Sequence, residues 1–261
     1  MTIAYTLLAI LEGFTEFLPV SSTAHLIILG KFISLNLVDP YVKFYLLCIQ
    51  LGALLAGVLL FSKKILTDRK TFTNICVSFL PSAILGFIFY KLFKKLLEGN
   101  IVLMASRLVI GGLLFIYLEK IYMKKKGETE IDQFGKTEMT YTDALIVGLA
   151  QSIAIIPGVS RSGATIIAGI FRGIKKSVIV EYTFILAIPT LLAAVLYDTY
   201  KSRELLSSIT SFREIGFGFL IAFVTGFVTL YVIRKYLPKI SLTFFAWYRI
   251  VLAVVIVVFL Y

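Results

Sequence analysis

Six uninterrupted apolar runs constrain this chain more than any other feature. They lie at about 41–61, 75–93, 103–123, 178–198, 214–233 and 243–261, and a helix needs about 20 apolar residues to cross a bilayer. In lipid every backbone polar group must be satisfied within the segment, so such runs fold as helices. The expected fold is an all-α polytopic membrane protein, one integral domain over 1–261. Composition agrees: 59% of the 261 residues are apolar and 16% charged, against about 45–50% and about 25% in soluble domains. A soluble enzyme and a disordered tail are thereby excluded. The net charge of +11 on so apolar a chain marks loops at one membrane face rather than a nucleic-acid surface. Cys48 and Cys76 read as small buried hydrophobes. The first basic residue is Lys31, so no cleaved signal peptide is expected.

Two further apolar stretches, about 3–33 and 141–168, are interrupted by Leu-Pro-Val-Ser-Ser-Thr at 18–23 and Pro-Gly-Val-Ser-Arg-Ser-Gly at 157–163. Each half is too short to span, which predicts two re-entrant helix pairs, since irregular backbone at membrane depth survives only inside protein or along a cavity; a single long kinked helix is the alternative for each. With re-entrant pairs the basic residues divide unequally. Fourteen lie in loops on one side (Lys63, Lys64, Arg69, Lys70, Lys124, Lys125, Lys126, Lys136, Arg172, Lys175, Lys176, Arg234, Lys235, Lys239) and six on the other (Lys31, Lys94, Lys95, Lys201, Arg203, Arg213). The richer side belongs in the cytoplasm. Each half, about 1–123 and 141–261, is then a broken pair followed by three spans of opposite orientation, joined by a cytoplasmic linker at about 124–140. That is an inverted-topology repeat. A shift of 139 residues lays Glu12 on Gln151, Ser21 on Ser160 and Thr23 on Ser162.

The polar residues of the two breaks carry the chemistry. Glu12 and Glu16 are four apart, on one helix face. An ionised group at membrane depth costs about 2.5–3.5 kcal/mol on the insertion scale, so a cation, a shared proton or an arginine must offset the pair. His25, the only histidine, follows Ser21, Ser22 and Thr23 and suits base, acid or nucleophile work near neutral pH. Gly158 and Gly163 allow close backbone approach. Ser160, Ser162 and Thr165 supply hydroxyls, and Arg161 a planar fork for phosphate oxygens. The two half-sites together fit a diphosphate bridged to carboxylates by a divalent cation, and the apolar surroundings fit a lipid tail.

Residues 12–25, Glu-Gly-Phe-Thr-Glu-Phe-Leu-Pro-Val-Ser-Ser-Thr-Ala-His, and 157–165, Pro-Gly-Val-Ser-Arg-Ser-Gly-Ala-Thr, resemble the two signature motifs of the bacterial undecaprenyl-diphosphatases, the UppP/BacA family. Tyr182–Pro189 and Phe245–Ile250 are similar to further family segments. The resemblance implies a hydrolase in the bacterial cell membrane, its site facing outward, that converts undecaprenyl diphosphate to undecaprenyl phosphate. That product is the recycled carrier of peptidoglycan synthesis, and the activity confers bacitracin resistance. The resemblance also implies dependence on Mg²⁺ or Ca²⁺, with Glu12 and Glu16 holding the metal. Arg161 would bind the diphosphate, with Ser21, Thr23, Gly158, Ser160, Ser162 and Thr165 assisting. Either Ser22 or His25 would attack phosphorus; the reading favours Ser22 with His25 as acid/base, and Glu16 is another candidate base. The expected partners are the membrane and the lipid substrate, with room for a homodimer and no nucleic acid. The competing class is a transporter that flips undecaprenyl phosphate or a related anionic lipid; it needs the anion site but not carboxylates arranged for hydrolysis.

Overall fold

The computed structural model describes residues 3–37, 39–97, 101–123, 135–156, 158–201 and 211–260. Most of the expected linker (124–134, including Lys124, Lys125 and Lys126), Pro157 and Arg203 lie outside the described residues. The helices are α1 (Ile3–Thr15), α2 (Ser22–Phe32), α3 (Pro40–Thr67), α4 (Arg69–Leu97), α5 (Ile101–Tyr117, continued by a π-turn Leu118–Met123), α6 (Tyr141–Ile153), α7 (Arg161–Phe171), α8 (Lys176–Lys201), α9 (Phe212–Tyr236) and α10 (Leu242–Leu260). Among the described residues there is no strand, only a parallel bridge between Lys136 and Ile174.

Six of these helices, α3, α4, α5, α8, α9 and α10, are long and apolar enough to cross a membrane. Four of them, α3, α4, α8 and α9, outrun the apolar runs that predict them. Their ends carry Lys63 and Lys64, Arg69 and Lys70, Arg234 and Lys235, whose long stems can cover apolar surface while the charge stays in water; Lys176, by contrast, is buried and donates to the Ile240 carbonyl at 2.6 Å. Hydrophobicity is spent on both sides of these helices: Leu59, Phe87, Leu220 and Val251 are exposed, as lipid contact requires. Cys76 belongs to this outer surface and Cys48 is half-buried, so neither is the fully buried hydrophobe expected from sequence. In lipid an outward thiol loses nothing by facing the acyl chains.

Local chemistry sets the helix starts. Asp39 accepts the Tyr41 and Val42 N–H groups ahead of Pro40, an N-cap followed by proline at the first helical position. Thr140 and Asp143 form a reciprocal capping box on α6, and Asp143 also meets Arg172 and Lys136. Asp68, in the α3–α4 loop, accepts Thr71 N–H and Oγ, and these hydrogen bonds hold its carboxyl below the ordinary range. Glu119 reaches from the end of α5 to the Leu242 and Thr243 amides that open α10, tying together two helices packed along their length.

Between the spans, polar and small residues do the joining, since lipid gives helices little hydrophobic reason to associate. Asn74, Ser78 and Ser82 form a ladder on α4 that donates to Met139, Ala144 and Gly148 carbonyls of the α6 segment. A Cβ at Gly148 would lie 2.2 Å from the Ser78 carbonyl oxygen. Gly148→Val is therefore expected to destabilise the protein by about 3 kcal/mol or more, read as a lowered melting temperature in detergent. Gly216→Ala, where a Cβ meets nothing within 4 Å, should leave the melt unchanged. Equal melts for the two variants would refute this packing.

Candidate active site

The first break runs from Glu16 to Ser21. Phe17 and Val20 anchor it in the core, with Phe17 edge-on to Phe184. Ser21 takes a left-handed backbone, φ 72°, a conformation rare for residues with a Cβ, and this swings the chain into α2. The second break ends at Ser160, whose hydroxyl caps α7 by accepting the Gly163 N–H at 3.2 Å. Gly158 there has φ +87°, a conformation glycine reaches freely. Helix α7 consequently begins at Arg161 and directs it at the first break.

Glu16 is where the two breaks meet. Its Oε2 accepts the Ser22 hydroxyl at 2.6 Å, and its Oε1 accepts Arg161 Nη2 at 3.0 Å. The pair is shielded, with side chains 4% and 12% exposed. Arg161 Nη2 also reaches the Glu16 carbonyl, and Ser162 donates to the Leu18 carbonyl at 3.0 Å. Glu12 is buried one turn below, its carbonyl accepting the Glu16 N–H at 3.0 Å, and two neighbouring buried carboxyls need a proton or a cation to offset their repulsion. Two buried atoms here have no hydrogen-bond partner among the described residues: Glu12 Oε2 and Arg161 Nη1. One seeks positive charge and the other an acceptor, so the site is polarised for a cation on one side and an anion on the other.

His25 lies apart from the Ser22 hydroxyl contact. Its Nδ1 meets the Ser21 carbonyl at 2.8 Å and its Nε2 the Tyr248 hydroxyl at 2.6 Å, with the two rings stacked at 12°. A carbonyl only accepts, so Nδ1 carries the proton and Nε2 accepts from Tyr248. The side chain that the Ser22 hydroxyl meets is thus Glu16 rather than the His25 that the sequence reading favours as its partner.

The other expected ligands make the following contacts within the protein. Thr165 is fully buried, donates back to its own helix and meets Thr183 at 2.8 Å, away from the carboxylates. Ser160 and Ser162 bond each other and the breaks. Thr23 is exposed and Ser21 makes no side-chain cap. Gln151, opposite Glu12 in the repeat alignment, bonds Ser82 and Thr190, so the second half carries a neutral amide where the first carries the acid. Tyr248 carried no signal in the sequence, whereas Arg249, like Arg107, stands out there as an arginine within an apolar span to which the sequence assigns no role.

The profile of the bacitracin resistance protein BacA family matches residues 5–255. The chain is similar to the undecaprenyl-diphosphatase of Janthinobacterium sp. (strain Marseille), 40% identical with 94% of this chain and 90% of the relative covered. It is also similar to that of Sulfurihydrogenibium sp. (strain YO3AOP1), 38% identical with 97% of each covered. Undecaprenyl-diphosphatase 2 of Rhodospirillum rubrum is 40% identical over 98% of this chain and 94% of its own length. With both signature segments inside the matched region and converging on Glu16, the chain belongs to the bacitracin resistance protein BacA family.

Proposed function

We propose that this protein is an undecaprenyl-diphosphatase that hydrolyses undecaprenyl diphosphate to undecaprenyl phosphate and inorganic phosphate. The observation that carries the proposal is the single Glu16 carboxylate bonded at once to the Ser22 hydroxyl and to Arg161. A serine hydroxyl is a weak nucleophile until a base takes its proton, and Glu16 is the base in contact. Ser22 Oγ attacks the terminal phosphorus as its proton passes to Glu16 Oε2. The bond to the bridging oxygen breaks, and undecaprenyl phosphate leaves with that oxygen. Glu16 gives the serine proton to the departing lipid phosphate, then takes one from the water that attacks the phosphoserine and passes it to Ser22 Oγ as inorganic phosphate leaves. Arg161 Nη1 is the donor for the terminal phosphate oxygens, whose charge spreads in the transition state. His25, fixed by Ser21 and Tyr248, makes no contact with the Ser22 hydroxyl in this arrangement.

Mg²⁺ or Ca²⁺ fits the donor set of Glu12 and Glu16, since Glu12 Oε2 is buried without a partner among the described residues. Among the described residues no three acidic, histidine or cysteine side chains cluster, so phosphate oxygens and water would complete its shell. Such a cation would neutralise diphosphate charge and ease the departure of the lipid phosphate.

The proposal includes two re-entrant pairs, α1–α2 and α6–α7, in an inverted repeat. In support, α1 packs on α9 and α6 on α4, contacts that exchange when the halves are exchanged, while α5–α10 and α3–α8 map onto themselves. The protein sits in the bacterial plasma membrane, with the carboxylate break opening outward and the basic loops inward.

The test is phosphate release from undecaprenyl diphosphate by purified protein in detergent, with Mg²⁺ or with a chelator. Release that stops on chelation and resumes on adding cation is expected. Folded protein that binds the lipid and releases nothing would overturn the proposal.

A further inference from the structure

The Arg249 guanidinium, on α10, is 2% exposed and bonds carbonyls of three separate segments: Nη2 to Gly158 at 3.1 Å, Nε to Leu108 at 3.4 Å and Nη1 to Pro19 at 3.5 Å. Among the described residues it pairs with no carboxylate. A cation held in an apolar span by carbonyls alone is costly, and a smaller apolar side chain would fill the same interface without that cost. The chain makes room for it. A Cβ at Gly111 would lie 2.4 Å from Nη2 and 2.7 Å from Cζ, and one at Gly163 would lie 3.4 Å from Nη1. The Phe115 ring covers another side, 5.8 Å from Cζ.

The positions of the gripped carbonyls say what the arginine is for. Pro19 stands three residues before Ser22, and Gly158 three residues before Arg161. The same 139-residue shift that aligns the halves carries Pro19 onto Gly158. One planar fork therefore holds the equivalent carbonyl of each break.

We infer that Arg249 is a positioning residue, a latch that fixes the two breaks in register and thereby sets the distance between the Ser22–Glu16 pair and Arg161. It touches neither Glu16 nor Ser22. Its effect is on geometry, and misplacement of reacting groups by about 1 Å costs about 10²-fold in rate. Lysine cannot replace it, because one ammonium does not span carbonyls on opposite sides.

The inference rests on the diphosphatase reading, and its test separates the two. Arg249→Gln, Arg249→Lys and Gly111→Ala are compared with wild type in detergent by kcat and KM for undecaprenyl diphosphate and by melting. Gly111→Ala leaves Arg249 chemically intact but pushes it from its seat. In parallel, spin labels at Phe14 and Ile153, exposed residues of α1 and α6, report the separation of the two breaks without any chemistry, in a background with Cys48 and Cys76 replaced by alanine. Expected are a fall in kcat of about 100-fold with KM within about threefold, and a broadened label distance in all three variants. A folded variant with kcat within threefold of wild type and an unchanged distance would overturn the latch. So would a raised KM with kcat kept, the mark of a purely binding role. If Arg249→Gln fails to fold, Gly111→Ala and Arg249→Lys decide. If wild type releases no phosphate, the diphosphatase reading falls and the label distance alone decides the latch.

Discussion

Ser22→Ala is expected to lower phosphate release by at least ~10⁴-fold, the order seen when a covalent nucleophile is deleted, while the lipid diphosphate still binds. The alanine removes only the hydroxyl that donates to Glu16 Oε2; Arg161 and both glutamates stay. Binding is read as a substrate-induced rise in melting temperature, turnover as released phosphate. Glu16→Gln should match the loss, because an amide cannot take the serine proton. His25→Gln should be milder: its ring bonds Ser21 and Tyr248 rather than Ser22, and a glutamine amide keeps hydrogen-bonding capacity there. The ordering of the variants carries the assignment. Substantial release by Ser22→Ala, with His25→Gln inactive, would transfer the nucleophile to His25.

That ordering was not available from the chain alone, and the reason is physical. Periodicity and run length locate helices, because a span must bury its backbone whatever its neighbours; six runs gave six spans, within several residues at the ends. The two breaks were legible for the same reason, as Pro, Gly and Ser cannot continue an apolar helix at low cost. Glu12, Glu16 and Arg161 stand out because charge in an apolar stretch needs a purpose, and Ser22 only as one of the hydroxyls of the first break. Which hydroxyl faces the site is a different kind of fact. Thr165 and Ser162 sit in the same motif as Arg161, yet helical geometry turns Thr165 into the α7–α8 contact with Thr183 and Ser162 onto the Leu18 carbonyl. His25 is three residues from Ser22, but its ring is claimed by Tyr248, 223 positions away in sequence. Partners so distant leave no trace in local spacing. Arg249 was visible as an oddity, and only the fold shows which carbonyls it holds.

Replacing Arg161 separates its two duties. Nη2 neutralises the buried Glu16 carboxylate at 3.0 Å, while Nη1 has no partner among the described residues and is the donor for substrate phosphate. Arg161→Ala should therefore cut kcat/KM by about 10³-fold, as expected for losing a preorganised transition-state donor. It should also destabilise the fold by about 3–5 kcal/mol, because removing one partner strands a buried charge. Arg161→Lys keeps the charge but not the fork: its ammonium can serve Glu16 or the phosphate, and lacks the planar reach to serve both. Much of the lost stability should return in Arg161→Lys, with kcat/KM still down about 10²-fold. The double variant Glu16→Gln/Arg161→Met takes the argument to its limit, since exchanging a buried ion pair for uncharged groups is often neutral for stability. It should melt near wild type and release no phosphate. Near-wild-type turnover in Arg161→Lys would mean that a point charge suffices. A double variant as unstable as Arg161→Ala would mean that the arginine holds the breaks by more than its bond to Glu16.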